Sequence, residues 1–163
     1  MRDVLDQIKK GLESNHYYLC LFVCLAIPDI CGAIDSKDGK ASGNKYKVWF
    51  DKYAGSKYSG KFTGSDCYYF RCSLLHQGST QHPKSRYSRI LMAEPSSNFF
   101  HKNVLDDVLN IEIKKFCLDI ISGVEEWLCK VEETERFKTN FDKFVHRYPQ
   151  GLPPYLVGVH LVA

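Results

Sequence analysis

T-G-S-D-C-Y-Y-F-R-C-S-L-L-H-Q-G, Thr63 to Gly78, is the stretch from which the rest of the chain can be read. Thr63 offers a hydroxyl and Asp66, three residues on, a carboxylate, the two halves of a capping box. Gly78 is a common helix stop, because glycine enters the left-handed conformation without a Cβ clash. The spacing predicts a helix over Gly64–Gln77. On a wheel of about 100° per residue with Cys67 at the origin, Phe70 falls at about 300° and Leu74 at about 340°, a core stripe. Arg71 falls at about 40° and His76 at about 180°. They flank a shallow face that also carries Tyr68, Cys72 and Leu75. Ser73, at about 240°, lies outside that arc.

Neither Arg71 nor His76 is a natural core filler. Histidine titrates near neutral pH and can act as general acid or base. Arginine keeps its charge and donates two parallel hydrogen bonds to a phosphate. Together they suit cleavage of RNA, where the ribose 2′-OH attacks the adjacent phosphate and neither a protein nucleophile nor a metal is required. A surface arginine and a histidine at the negative end of a helix dipole would give the same letters.

Upstream, Val4, Leu5, Ile8 and Leu12 repeat at helical spacing, and Gly11 with Ser14–Asn15 offers a break. Tyr17–Ile27 is an apolar run ending at Pro28. It is too short to span a bilayer and reads as a core helix, with a new turn opening at Pro28. Ser36–Gly43 reads as a loop and Asn44–Tyr53 as a short helix with Tyr46, Trp49, Phe50 and Tyr53 on one side. Downstream, Tyr87–Ala93 reads as a strand, Glu94–Asn98 as a turn and Phe99–Leu105 as a second strand, which makes a hairpin. Leu109 through Val131 keeps i, i+3, i+4 spacing for about six turns. Phe137, Phe141, Phe144, Val145 and Tyr148 extend helical periodicity to Pro149, and the tail from Pro153 alternates like a strand able to pair with the hairpin. The expectation is one mainly α domain over residues 1–163, a bundle of four to five helices with a small β insertion.

Charge is uneven along the chain. Ser36–Arg89 holds 11 Lys/Arg against 3 Asp/Glu; the remainder holds 11 against 16, so the whole is only +3. A basic middle on an acidic frame suits a polyanionic partner or a solvated lysine-rich loop. His82, Lys84, Arg86 and Arg89 follow the helix closely and are candidate RNA-phosphate contacts. Tyr68, Tyr69 and Trp49 are candidate stacking residues, with core packing favoured for Trp49. Asp29 and Asp35 flank a short segment and suit capping or surface roles, or hydrogen-bond support of the site. The Glu125–Arg136 run reads as a solvated helix face. Seven cysteines, an odd number without C-x-x-C, sit mostly among apolar neighbours, as reduced buried thiols do, which points to the cytoplasm. Cys20 and Cys24 share a helix face, but zinc needs further ligands. His16, His101, His146 and His160 show no ligand spacing. No metal, cofactor or membrane association is expected.

The block F-R-C-S-L-L-H-Q-G, with Asp66 upstream and Y-Y-F between, resembles the HEPN superfamily (higher eukaryotes and prokaryotes nucleotide-binding domains), and within it a group of small stand-alone prokaryotic proteins. The likeness covers most of the chain: a helical bundle whose late-middle helix carries R-x4–6-H, followed by a long amphipathic helix. It implies a metal-independent endoribonuclease of toxin or phage-defence type, working as a homodimer that brings two motifs into one cleft. Arg71 and His76 would be the catalytic pair, with Cys72, Tyr68, Ser73 and Asp66 supporting the site, and an antitoxin protein is a candidate partner. One position departs from the pattern: the family places Asn, Asp or His after the arginine, and here stands Cys72, which hydrogen-bonds only weakly. A non-catalytic HEPN-like module binding RNA or a nucleotide, and a protein whose dimer face is its function, are the rival expectations.

Overall fold

The computed structural model describes residues 1–97 and 101–163. The chain is mainly helical, with six α-helices among the described residues: α1 Arg2–Glu13, α2 Tyr17–Ile34, α3 Gly43–Tyr53, α4 Gly64–Gln77, α5 Ile113–Val131 and α6 Glu135–Phe141. A short 3-10 turn, Gly55–Tyr58, follows α3. The organising element is α2, which packs against α1, α3, α4, α5 and α6. Its inner face, from Cys20 and Cys24 through Leu25, Ile27 and Cys31, is almost without solvent exposure. One opposing face is the long stripe of α5, where Phe116, Cys117, Ile120, Val124 and Trp127 are fully buried. Each such side chain contributes roughly 1.5–3 kcal/mol by leaving water.

The chain does not break at Pro28. The proline lies inside α2, which runs unbroken to Ile34. A mid-helix proline costs about 3 kcal/mol in a lost bond and a steric clash. Here Ile27, Pro28, Cys31 and Ile34 are all buried, and their packing offsets that cost. At 18 residues and mean hydropathy 1.9, α2 is long and apolar enough to cross a membrane by length and composition, and half of it is buried within the protein. Five of the seven cysteines are buried, Cys72 is half-buried and Cys129 exposed, and all seven are free thiols.

The β insertion differs from the expected hairpin. Strand β1, Arg89–Ala93, pairs in parallel with β3, Val108–Glu112, in the register Arg89↔Val108 to Ala93↔Glu112. The hairpin partner of β3 is β2, Asn103–Leu105. Its two-residue turn is Asp106–Asp107, with φ of 48° and 62°. Turns of this hand need positive φ at both positions, which aspartate tolerates better than most residues. Leu109 therefore belongs to a buried strand, and α5 starts only at Ile113. Of the expected strand Phe99–Leu105, residues 103–105 are extended; Asn98, Phe99 and Phe100 lie outside the described residues, as does the end of the expected turn.

Helical periodicity also overruns at the C-terminus. α6 ends at Phe141, where the His146 ring donates through Nε2 to the Phe141 carbonyl at 2.9 Å. Phe137, Phe141 and Phe144 form a stacked ladder that holds this end against the bundle. The tail makes its own two-residue ribbons instead of joining the sheet: β4, Arg147–Tyr148, with β7, Leu161–Val162, and β5, Gly151–Leu152, with β6, Leu156–Val157.

Candidate functional site

α4 forms as the sequence predicts. Thr63 Oγ1 accepts from the Asp66 amide, Asp66 accepts from the Thr63 amide at 2.8 Å, and Gly78 closes the helix at φ 64°. Gly64 lets α4 touch α3: a Cβ there would stand 2.3 Å from the Lys47 carbonyl oxygen. The Tyr46 hydroxyl donates to the Leu25 carbonyl at 3.1 Å and lies 3.2 Å from the Cys67 sulfur. These contacts fix the rotation of α4 about its axis, so Cys67 and Phe70 face the core and the Arg71 side reaches α2.

There Arg71 meets Asp29. Nη2 lies 2.6 Å from Asp29 Oδ2, and Nη1 lies 2.9 Å from His76 Nε2. The side chains of Arg71 and Asp29 keep 20% and 16% of their exposure, while His76 is exposed. A guanidinium only donates. The His76 Nε2 that takes this bond is therefore unprotonated, and the ring proton sits on Nδ1. The result is a chain of acid, guanidinium and imidazole ending at the protein surface. Burial pushes the Asp29 carboxyl above the ordinary range, and the Arg71 guanidinium, by its charge and its hydrogen bond, pulls it back. Arg71 Nε is shielded from solvent and has no acceptor, so the guanidinium retains unused hydrogen-bonding capacity.

Sequence reasoning gives Asp29 too little weight. It is the one charged side chain in the eighteen residues of α2, and it sits beside a proline. A lone charge in an otherwise apolar helix needs a partner, and that is the available signal.

The other candidates separate. Cys72 is half-buried on the face between Arg71 and His76, next to Tyr68, whose phenol is pushed up first by that thiol and then by burial. Tyr68 also packs edge-on against Tyr46. Ser73 leaves the site: it is fully buried on the opposite side of α4, as its wheel position implied, with an unpartnered hydroxyl. Asp66 leaves it too, because it caps the far end of the helix and binds Arg86 at 2.9 Å.

The basic segment after α4 folds back along the helix. His82 stacks on Tyr69 with ring centres 4.7 Å apart, Arg86 donates to the Gly60 carbonyl, and the Tyr87 hydroxyl reaches the Lys61 carbonyl. All three of Lys84, Arg86 and Arg89 are exposed, but Arg86 is also engaged within the protein. Lys47 lies over both Tyr68 and Tyr69, at 5.2 and 4.6 Å from the ring centres. Trp49 is core, 4% exposed. Among the described residues no cluster of three or more His, Cys, Asp or Glu side chains is arranged to hold a metal ion.

Comparisons with family models, curated proteins and solved structures returned no match to this chain.

Proposed function

We propose that this chain is a HEPN-like, metal-independent endoribonuclease of toxin or phage-defence type, acting in the cytoplasm as a homodimer. The observation that carries the reading is the Asp29–Arg71–His76 chain at the open end of α4. A scissile phosphate replaces His76 as the partner of Arg71 Nη1. That exchange frees the unprotonated Nε2 to take the proton of the ribose 2′-OH. The 2′ oxygen attacks phosphorus, the bond to the 5′ oxygen breaks, and the products are a 2′,3′-cyclic phosphate and a 5′-hydroxyl. A protonated histidine, that of the second copy in a dimer, supplies the leaving oxygen with its proton. Arg71 stabilises the charge on the phosphorane and Asp29 holds the guanidinium in place.

A paired arrangement has a surface to use. Tyr18, Leu19, Phe22 and Val23 are exposed on the outer side of α2. Tyr18, Phe22 and Asp29 follow one another at i, i+4 and i+11, within about 40° on that helix. The apolar stripe therefore runs into the polar chain, and a second copy packed on it would bring two motifs together. An antitoxin protein covering the same stripe would silence the site.

The second reading is a non-catalytic RNA- or nucleotide-binding module, and Cys72 favours it, since a thiol replaces a stronger hydrogen-bonding group between Arg71 and His76. The test is cleavage of single-stranded RNA in EDTA by the wild type, Arg71→Ala and His76→Ala. Cleavage that survives chelation, ends in 2′,3′-cyclic phosphate and disappears in both variants is the expected result. RNA binding without cleavage transfers the reading to the binding module.

A further inference from the structure

A cleft of about 260 Å³ opens on the other flank of Asp29, between the second half of α2 and the end of α6. Its floor is apolar, built from Ile30, Ala33 and Ile34 of α2. Phe144 forms one wall, its ring held against Phe141 at 5.4 Å and 15°. The volume lies below the roughly 300–1,000 Å³ of sites that enclose a drug-sized ligand and suits a single ring system.

Two polar groups give the cleft an edge. Asn140 donates both N–H bonds of its amide, to the Ile34 and Ser36 carbonyls at 2.8 Å each. That fixes the amide orientation and leaves Oδ1 as an acceptor that cannot rotate away. Gly39 keeps this oxygen uncovered. Its φ is 64°, and a Cβ there would come within 3.0 Å of Oδ1. Lys143 stands exposed at the rim.

We propose that this cleft is a nucleobase pocket: the RNA nucleotide flanking the phosphate at Arg71 and His76 lays its base against Phe144 and sets an edge N–H on Asn140 Oδ1. The inference rests on the ribonuclease reading and adds the feature that selects where the strand is cut. Asp29 is shared by both sites, so a ribose spanning them sits over the Asp29–Arg71 pair. A base that presents an N–H next to a carbonyl, guanine or uracil, satisfies both Asn140 Oδ1 and the Lys143 ammonium. Adenine has no carbonyl to offer.

The experiment uses short single-stranded RNAs that vary only at the nucleotide beside the cut, in EDTA, with wild type, Phe144→Ala and Ala33→Leu. The first variant removes the stacking wall and the second fills the floor; neither residue touches Arg71 or His76, and circular dichroism confirms folding. Wild type is expected to prefer guanine or uracil. Both variants are expected to lose roughly 5- to 150-fold in kcat/KM on the preferred base, the range that one base–aromatic stack represents, and to cut the four substrates more evenly. Equal cleavage of all four by wild type, or preferences unchanged in both variants, overturns the pocket and leaves the ribonuclease reading standing. If wild type cuts no RNA, the ribonuclease reading fails and the pocket is read by fluorescence anisotropy of labelled trinucleotides on the His76→Ala protein. Guanine- or uracil-dependent binding lost with Phe144→Ala upholds the pocket, and base-independent binding or none overturns it.

Discussion

Replacing Asp29 by asparagine tests whether the acid holds Arg71 or merely lies near it. Asparagine keeps the shape and removes the charge. An exposed ion pair is worth about 0.2–1 kcal/mol, whereas removing one partner of a fully buried pair costs about 3–5 kcal/mol. The Asp29–Arg71 pair lies between these cases, with one-fifth or less of each side chain exposed and an N–O distance of 2.6 Å. The expected loss for Asp29→Asn is therefore roughly 1–3 kcal/mol. For a chain of this size that lowers Tm by about 2–4 °C per kcal/mol. Burial raises the Asp29 carboxyl, so part of the attraction already offsets desolvation. The double variant Asp29→Asn/Arg71→Gln, with no charge left uncompensated, is accordingly expected to be more stable than Asp29→Asn alone. The assay is urea unfolding of the wild type, both single variants and the double variant, repeated at low and high NaCl. A coupling energy below about 0.3 kcal/mol, or one abolished by salt, would class the pair with ordinary surface ion pairs and remove the argument that Asp29 positions Arg71.

Gly64→Ala drives a methyl group toward the Lys47 carbonyl, so α3 and α4 must separate; a loss of about 1–3 kcal/mol is expected in thermal unfolding, and an unchanged Tm would mean the helices do not meet there as described. His101 accepts the Glu112 amide on Nδ1 at 3.1 Å, so a charged ring would set one N–H against another. Burial, with Lys102 next, lowers its pKa, Lys115 acts in the same sense, and Asp119 and Glu112 oppose them; the Tyr58 ring packs against the imidazole. The unfolded chain binds the proton more readily, so this contribution to stability is complete above pH about 6.5 and declines as pH falls toward the lower folded value. Urea unfolding at neutral and mildly acid pH should show a smaller acid loss in His101→Asn than in wild type, and equal losses would refute the assignment.

The chain by itself determined what depends on near neighbours. The Thr63–Asp66 capping box, the Gly78 stop and the α5 stripe are statements about residues three or four apart, and bonds of that range form wherever the local sequence supplies them. The mainly α character, the burial of most cysteines and the placing of Arg71 and His76 on one helix were legible in the sequence, whereas their direct contact was not, since the helix wheel set them about 140° apart. The tertiary structure decided what depends on distant partners. Pro28 continues α2 because the burial of Ile27, Cys31 and Ile34 outweighs a local penalty. Val108–Glu112 is a strand because Arg89–Ala93 lies beside it, and a parallel pairing leaves no turn signature between its members. Arg86 pairs with the buried Asp66 while its own side chain stays 46% exposed, so it is not a free loop cation. In the sequence Asp29 suited a cap, a surface charge or hydrogen-bond support of the site alike; packing of α2 against α4 made it the partner of Arg71, because a carboxylate taken from water is stable there only beside a cation.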